Sequence, residues 1–290
     1  MVQYSTLQGC ASATVAGLLL NACVAAWVRT QGGANSQAVK RHPLFIVHSR
    51  ASGPLWMWML SATLQSCVYP VLFVLSVAHG RPEAIAAGAV DASSSWLAGT
   101  DTRLLSTPGS PDLMYLRWFL YVFFGYLARD LPSTLGDHMF TAHHLACMAG
   151  IWSTLESTSP GAVSAALGIL VLESGSLFFN LWSVDGVVRA FPGRLPLWPR
   201  FPRGWGEYLL EQSYVIGTTA SNVFAWYFLY LTANAAWAAE DDIFAWFGMV
   251  SGTLLVLFRE WEIVKVVRGQ VKKPGLCEKD RAWVEKSKKK

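Results

Sequence analysis

Residues Leu7 to Val28 form an uncharged, largely apolar run, and Leu55 to Ala78 form another. Gly161 to Leu181 is a third, interrupted only by Glu173, and Tyr214 to Thr232 is a fourth. Each approaches the ~20 residues that a helix needs to cross a bilayer's hydrocarbon core. In a soluble fold, runs of this length would leave a large apolar patch in water. The pattern therefore predicts an all-α, multi-pass membrane protein. Charge is scarce to match: 14% of residues are Asp, Glu, Lys or Arg, against about 25% in soluble domains.

Seven spans are expected, at ~7–28, ~55–78, ~113–128, ~138–155, ~161–182, ~209–232 and ~243–264. The third and fourth are short, and Arg129, Asp130 and Pro132 break the apolar pattern between them. With the N-terminus outside, alternation places ~28–54, ~129–137, ~183–208 and the C-terminal tail in the cytosol. All 23 Lys and Arg fall there except Arg81, Arg103, Arg117 and Arg259, as the cytosolic excess of basic residues requires. The net charge of +4 is thus explained by topology and by attraction to anionic headgroups, and no nucleic-acid partner is implied. The first run has no basic residue before it and Arg29 after it. That is the reverse of a signal peptide, so it reads as a span with a luminal N-terminus.

The five cysteines show no paired spacing, so neither a disulfide framework nor a zinc site follows. The segment from Phe191 to Trp205 is rich in Pro and Trp, which excludes a continuous helix and suits the headgroup layer. Gly248 and Gly252 in the last span permit close helix packing, within the chain or between chains.

Polar groups at membrane depth are costly and are functional suspects by default. Asp130, Asp137, His143 and His144 form a first cluster. Adjacent helical residues point about 100° apart, so the two histidines cannot meet one small ligand in the same way. A His beside a carboxylate can act as acid, base or nucleophile; the same pair can equally be held by interhelical hydrogen bonds. Glu173 and Asn180, two turns apart, share a face and form a second cluster, either catalytic or an interhelical clamp. Glu211, Thr218 and Asn222, widened by Gln212 and Thr219, make a third stripe that lines a cavity or glues helices. His138, His143 and His144 also resemble one histidine box of membrane di-iron enzymes. Those enzymes need several boxes, and His42, His48 and His79 lack box spacing. No metal is expected.

Three elements, in this order, carry a family resemblance: Tyr126 to Asp130, Asp137 to His144, and Leu172 to Trp182 with its Glu173-Ser-Gly-Ser176 and Asn180. Together they resemble the TLC-domain family, named for TRAM, Lag and CLN proteins. The resemblance implies a six-helix membrane barrel with one preceding helix. Residues 1–40 would hold the luminal end, the first span and the start of a cytosolic loop. Residues 41–270 would be the TLC-type domain, and 271–290 a basic cytosolic tail. Family members include ceramide synthases, in which paired histidines matched by His143 and His144 serve acyl transfer from acyl-CoA. Ala165 to Leu172 is wholly apolar where ceramide synthases carry His and Asp, so the likeness is to the other branch of the family. The resemblance implies membrane lipids as partners, acyl-CoA as a co-substrate and no bound cofactor. His143 and His144 would be central, with Asp137, Glu173 and Asp130 supporting and Asn180, Glu211, Thr218 and Asn222 lining the cavity. It equally allows a non-catalytic lipid binder, a regulator of membrane composition or a trafficking adaptor. Lys286 and Lys288 fit a Lys-x-Lys-x-x retrieval signal, which points to coat binding and the endoplasmic reticulum.

Overall fold

The computed structural model describes residues 5–32, 55–86, 97, 105, 110–135, 138–190 and 205–269. Within them the elements are α1 (Thr6–Gly32), α2 (Leu55–Thr63), α3 (Tyr69–Ala86), α4 (Pro111–Thr134), α5 (His138–Glu156), α6 (Ala162–Ala190), α7 (Trp205–Ala238) and α8 (Asp242–Val267), and no described residue is in a strand. A π turn, Leu64–Val68, joins α2 and α3 into one rod. A described helix stands at each of the seven expected spans. Asp137, the segment 191–204 and the tail with Lys286 and Lys288 lie outside the described residues.

Four of the rods contain a stretch long and apolar enough to cross a membrane: Thr6–Val24, Trp58–His79, Ala162–Asp185 and Asp242–Val267. The other three fall short in apolarity or length. Arg117, Arg129 and Asp130 lie in α4; α5 has 19 residues, three of them His; α7 carries Thr218, Thr219, Ser221 and Asn222 in its middle. The outward faces are apolar: Leu18, Leu19, Val74, Ile216, Val223 and Leu254 are all exposed. A soluble monomer rarely leaves so much large apolar surface in water.

Local sequence sets the helix ends. At the start of α1, the Gln8 amide donates to Ser5 Oγ (3.2 Å) and the Ser5 amide to Gln8 Oε1 (3.1 Å), a reciprocal capping box. Pro111 opens α4 and Asp112 lies in its first turn, where a missing N–H costs nothing and a carboxylate meets the positive helix end. Pro70 has no N–H for the Ser66 carbonyl and its ring crowds that oxygen; the π turn immediately before it widens the backbone there. α7 ends in a tight reversal. Asp241 N–H donates to Ala236 O (2.9 Å), Glu240 N–H to Trp237 O (3.0 Å), and Glu240 has φ +59. This is a Schellman closure with Glu where Gly is usual. Asp241 then caps α8, accepting from the Phe244 amide at 3.0 Å.

α6 is the central rod: half of its apolar stretch is buried, and it packs against α7, α2, α5 and α4. α1 is peripheral, laid along α4. The two helices approach through small residues at steps of four. A Cβ on Gly9 would meet the Tyr121 ring, one on Gly17 the Gly125 carbonyl and Arg129, and one on Gly125 the Ala13 backbone. Gly248 and Gly252 of α8 face Leu229 of α7, so their packing is within the chain. Between α3 and α4, Tyr69 packs edge-on against Phe119 and Phe123, at centroid distances of 5.0 and 6.1 Å. Phe123 stacks in turn on Tyr126. This aromatic column closes one flank of the site.

Candidate functional site

The site is built of two cavities that share a wall. The polar one, about 120 Å³, lies among α2, α4, α5 and α6 and is lined by Gln65, Asp130, His144 and Asn180, among others. The second, about 130 Å³, lies among α5, α6, α7 and α8 and is mostly apolar, with Cys147, Leu172, Leu229 and Arg259 in its lining. His143, Glu173 and Ser176 line both.

Three buried side chains form a relay along α6. Gln65 Nε2 donates to Glu173 Oε1 at 2.6 Å, and Asn180 Nδ2 donates to Gln65 Oε1 at 2.7 Å. The amide satisfies both ends of the α6 stripe at once, which a buried carboxylate and a buried amide require. Gln65 belongs to the π turn, a backbone irregularity frequent at functional sites. It sits in an apolar run, and the stripe it makes with Ser61 and Tyr69 at steps of four was the sequence signal passed over. A second signal is Pro70, whose strain displaces the helical register just where Gln65 must reach α6.

The histidines differ in their surroundings. His144 Nδ1 lies 2.9 Å from the carbonyl of Phe140, one turn back on its own helix. A carbonyl only accepts, so Nδ1 carries the proton and Nε2 of the neutral ring is left as an acceptor. His143 makes only long approaches to Cys147 Sγ, at 3.8 and 4.0 Å, and its ring stands edge-to-face to His144 at 5.7 Å. Phe258 of α8 packs 6.3 Å from it. Neither histidine is hydrogen-bonded to a described carboxylate.

Asp130 is held by its neighbour: Arg129 Nε donates to Oδ1 at 2.9 Å and a terminal nitrogen lies 2.7 Å away. The guanidinium also stacks over Tyr126, 4.8 Å from the ring centre. Arg259, which the sequence reading left unassigned, reaches from α8 into the shared wall. It donates to Leu172 O (2.6 Å), Ser176 Oγ (3.2 Å) and Ser221 Oγ (3.1 Å).

The third stripe joins helices. Thr218 Oγ1 donates to Gly175 O at 3.2 Å, tying α7 to α6, and Asn222 Nδ2 donates to Glu260 Oε1 at 2.6 Å, tying α7 to α8. Thr218, Asn222 and the half-buried Glu211 line neither of the two cavities. Chemically, the arrangement sets one neutral imidazole with a fixed tautomer and a second imidazole at the boundary between a polar and an apolar chamber. Such a boundary suits a ligand with a polar end and a hydrocarbon tail. Comparison of the chain with protein-family models, with curated proteins and with solved structures finds no match.

Proposed function

We propose that the chain is a TLC-type, seven-span membrane protein of the endoplasmic reticulum that handles lipid acyl groups at His143 and His144. One observation carries this reading: His143 and Glu173 stand in the wall shared by the polar and apolar cavities. An acyl tail in the apolar chamber puts its carbonyl at that wall, and an acceptor hydroxyl or amine can enter from the polar side. With acyl-CoA as donor, the acceptor's proton passes to a histidine ring nitrogen as its oxygen or nitrogen bonds the carbonyl carbon. The carbon–sulfur bond breaks, and the thiolate recovers the proton. Asp130 and Glu173 contribute the field in which the imidazole charges. Membrane lipids are the partners and no bound cofactor is needed.

A second reading has an observation of its own. Glu173 is engaged by Gln65 and no described carboxylate orients either histidine, which favours a non-catalytic lipid binder or regulator of membrane composition.

The deciding experiment is an untargeted lipidome of cells lacking the protein, re-expressing wild type or the His143→Ala/His144→Ala double variant at matched levels. Acyl handling predicts that wild type shifts one lipid class and the double variant does not. Equal restoration by both excludes chemistry through the histidines and leaves the binder. Orientation is tested separately by a C-terminal tag, which should be reached by antibody after selective permeabilisation of the plasma membrane. A protected tag would overturn both the cytosolic tail and retrieval through Lys286 and Lys288.

A further inference from the structure

The apolar cavity is long and has its charged groups at one end. On α8 its wall runs from Phe244 to Arg259, about 22 Å at 1.5 Å per residue. An acyl chain occupies roughly half of a ~30 Å hydrocarbon core, so the wall is long enough to run beside one chain. At Gly150 the shaft is open, since a Cβ there would meet nothing within 4 Å; Gly252 packs against the end of Leu229.

One end of the cavity holds Arg259. A guanidinium has five N–H donors, and Arg259 directs them at one carbonyl and two hydroxyls. Its Nε is buried without a partner, and it forms no ion pair with a described carboxylate. Glu173, on the same wall, and Glu260, the next residue on α8, take neutral amide donors from Gln65 and Asn222; both act on Arg259 through space, without an ion-pair contact. A part-buried guanidinium with one buried N–H unpartnered is met well by a ligand that brings a negative, hydrogen-bond-accepting group.

We propose that the groove holds a single-chain lipid whose anionic head, a carboxylate or a phosphate, rests on Arg259 and whose tail lies along Gly252 and Gly150. The setting is the lipid-handling reading above; catalysis by the histidines is not needed. Arg is the side chain best suited to both heads, because its planar fork matches two oxygens at once.

The test is equilibrium binding of radiolabelled palmitate, palmitoyl lysophosphatidate and neutral monopalmitoylglycerol to the purified full chain in phosphatidylcholine nanodiscs. Wild type should bind at least one of the anionic lipids saturably and about tenfold or more tighter than the neutral one. Palmitate alone identifies the carboxylate, lysophosphatidate alone the phosphate. Arg259→Gln should lose that preference, and Arg268→Gln, at an exposed cation beyond α8 that lines neither cavity, should keep it. Gly150→Leu, which fills open space and leaves Arg259 in place, should turn the preference from palmitate toward decanoate, or from the palmitoyl to the decanoyl lysophosphatidate; it carries the test if Arg259→Gln does not fold. No saturable binding of either anion, equal affinity for monopalmitoylglycerol, or unchanged binding by both Arg259→Gln and Gly150→Leu overturns the proposal. Each failure leaves the histidine lipidome experiment unaffected, and a negative lipidome leaves the binding result standing.

Discussion

Gln65 and Glu173 lie 108 residues apart in the chain and meet at 2.6 Å in the interior, amide nitrogen to carboxylate oxygen. Gln65 is the only bridge between Glu173 and Asn180 among the described hydrogen bonds, since its own oxygen takes the Asn180 amide at 2.7 Å. Gln65→Leu therefore strands a buried carboxylate. It should cost about 2–3 kcal/mol, read from chemical unfolding in detergent. Asn180→Ala removes one neutral bond and should cost about 1 kcal/mol. The double variant should fall short of the sum, because both changes break one network; strict additivity would show that the relay is not coupled.

Gly125 and Ala13 set how closely α1 lies on α4. A Cβ on Gly125 would stand 2.5 Å from the Ala13 carbonyl carbon, which is backbone and cannot turn aside; one on Gly17 would stand 3.4 Å from the nearest atom. Gly125→Ala should therefore cost about 1–3 kcal/mol and loosen α1, seen as faster protease cleavage near the N-terminus. Gly17→Ala should be close to neutral in the same assay. Equal effects would mean that α1 is not held by this contact.

The all-helical class and the positions of the helices were legible because they depend on runs of apolar residues, which local composition carries. The same holds for α6, where a spacing of seven placed Glu173 and Asn180 on one face and both now line the polar cavity. Partner identity was not legible. The sequence left Glu173 as either catalytic or part of an interhelical clamp; its bond is to Gln65, which a π turn brings within reach. Arg259 went unassigned because a lone Arg in a span reads the same whether it is solvated, paired or built into a cavity wall; only its neighbours on α6 and α7 decide. The small residues of α1 that pack on α4 were passed over for Gly248 and Gly252, since a spacing of four says that helices can approach but not which ones do.

Glu240 carries a positive φ of 59 between α7 and α8. An L side chain there is disfavoured by about 1–2 kcal/mol, and glycine regains part of it after its greater freedom in the unfolded chain is counted. Glu240→Gly should stabilise the protein by about 0.5–1 kcal/mol. Asp241→Ala, one residue on, removes the side-chain cap on Phe244 and should destabilise by about 1 kcal/mol. Thermal unfolding of the two variants should move in opposite directions, and a shared direction would deny the Schellman closure.

Gly175 tests whether the position of Arg259 matters beyond stability. A Cβ at Gly175 would overlap Ser221 Oγ, stand 2.7 Å from Ser221 Cβ and 2.5 Å from a terminal nitrogen of Arg259. The hydroxyl and the guanidinium can move, but the Ser221 Cβ moves only with α7. Gly175→Ala should thus cost about 1–3 kcal/mol and, at temperatures where the variant is still folded, shift the guanidinium away from Ser221. Ser221→Gly removes both the hydroxyl and the Cβ, so it relieves the overlap with α7 at the cost of one hydrogen bond to Arg259. The Gly175→Ala/Ser221→Gly pair should recover part of the lost stability. If anion binding falls in Gly175→Ala and returns in the pair, the guanidinium must be held in place for the head to seat. If stability recovers and binding does not, the Ser221 hydroxyl itself is part of the anion site.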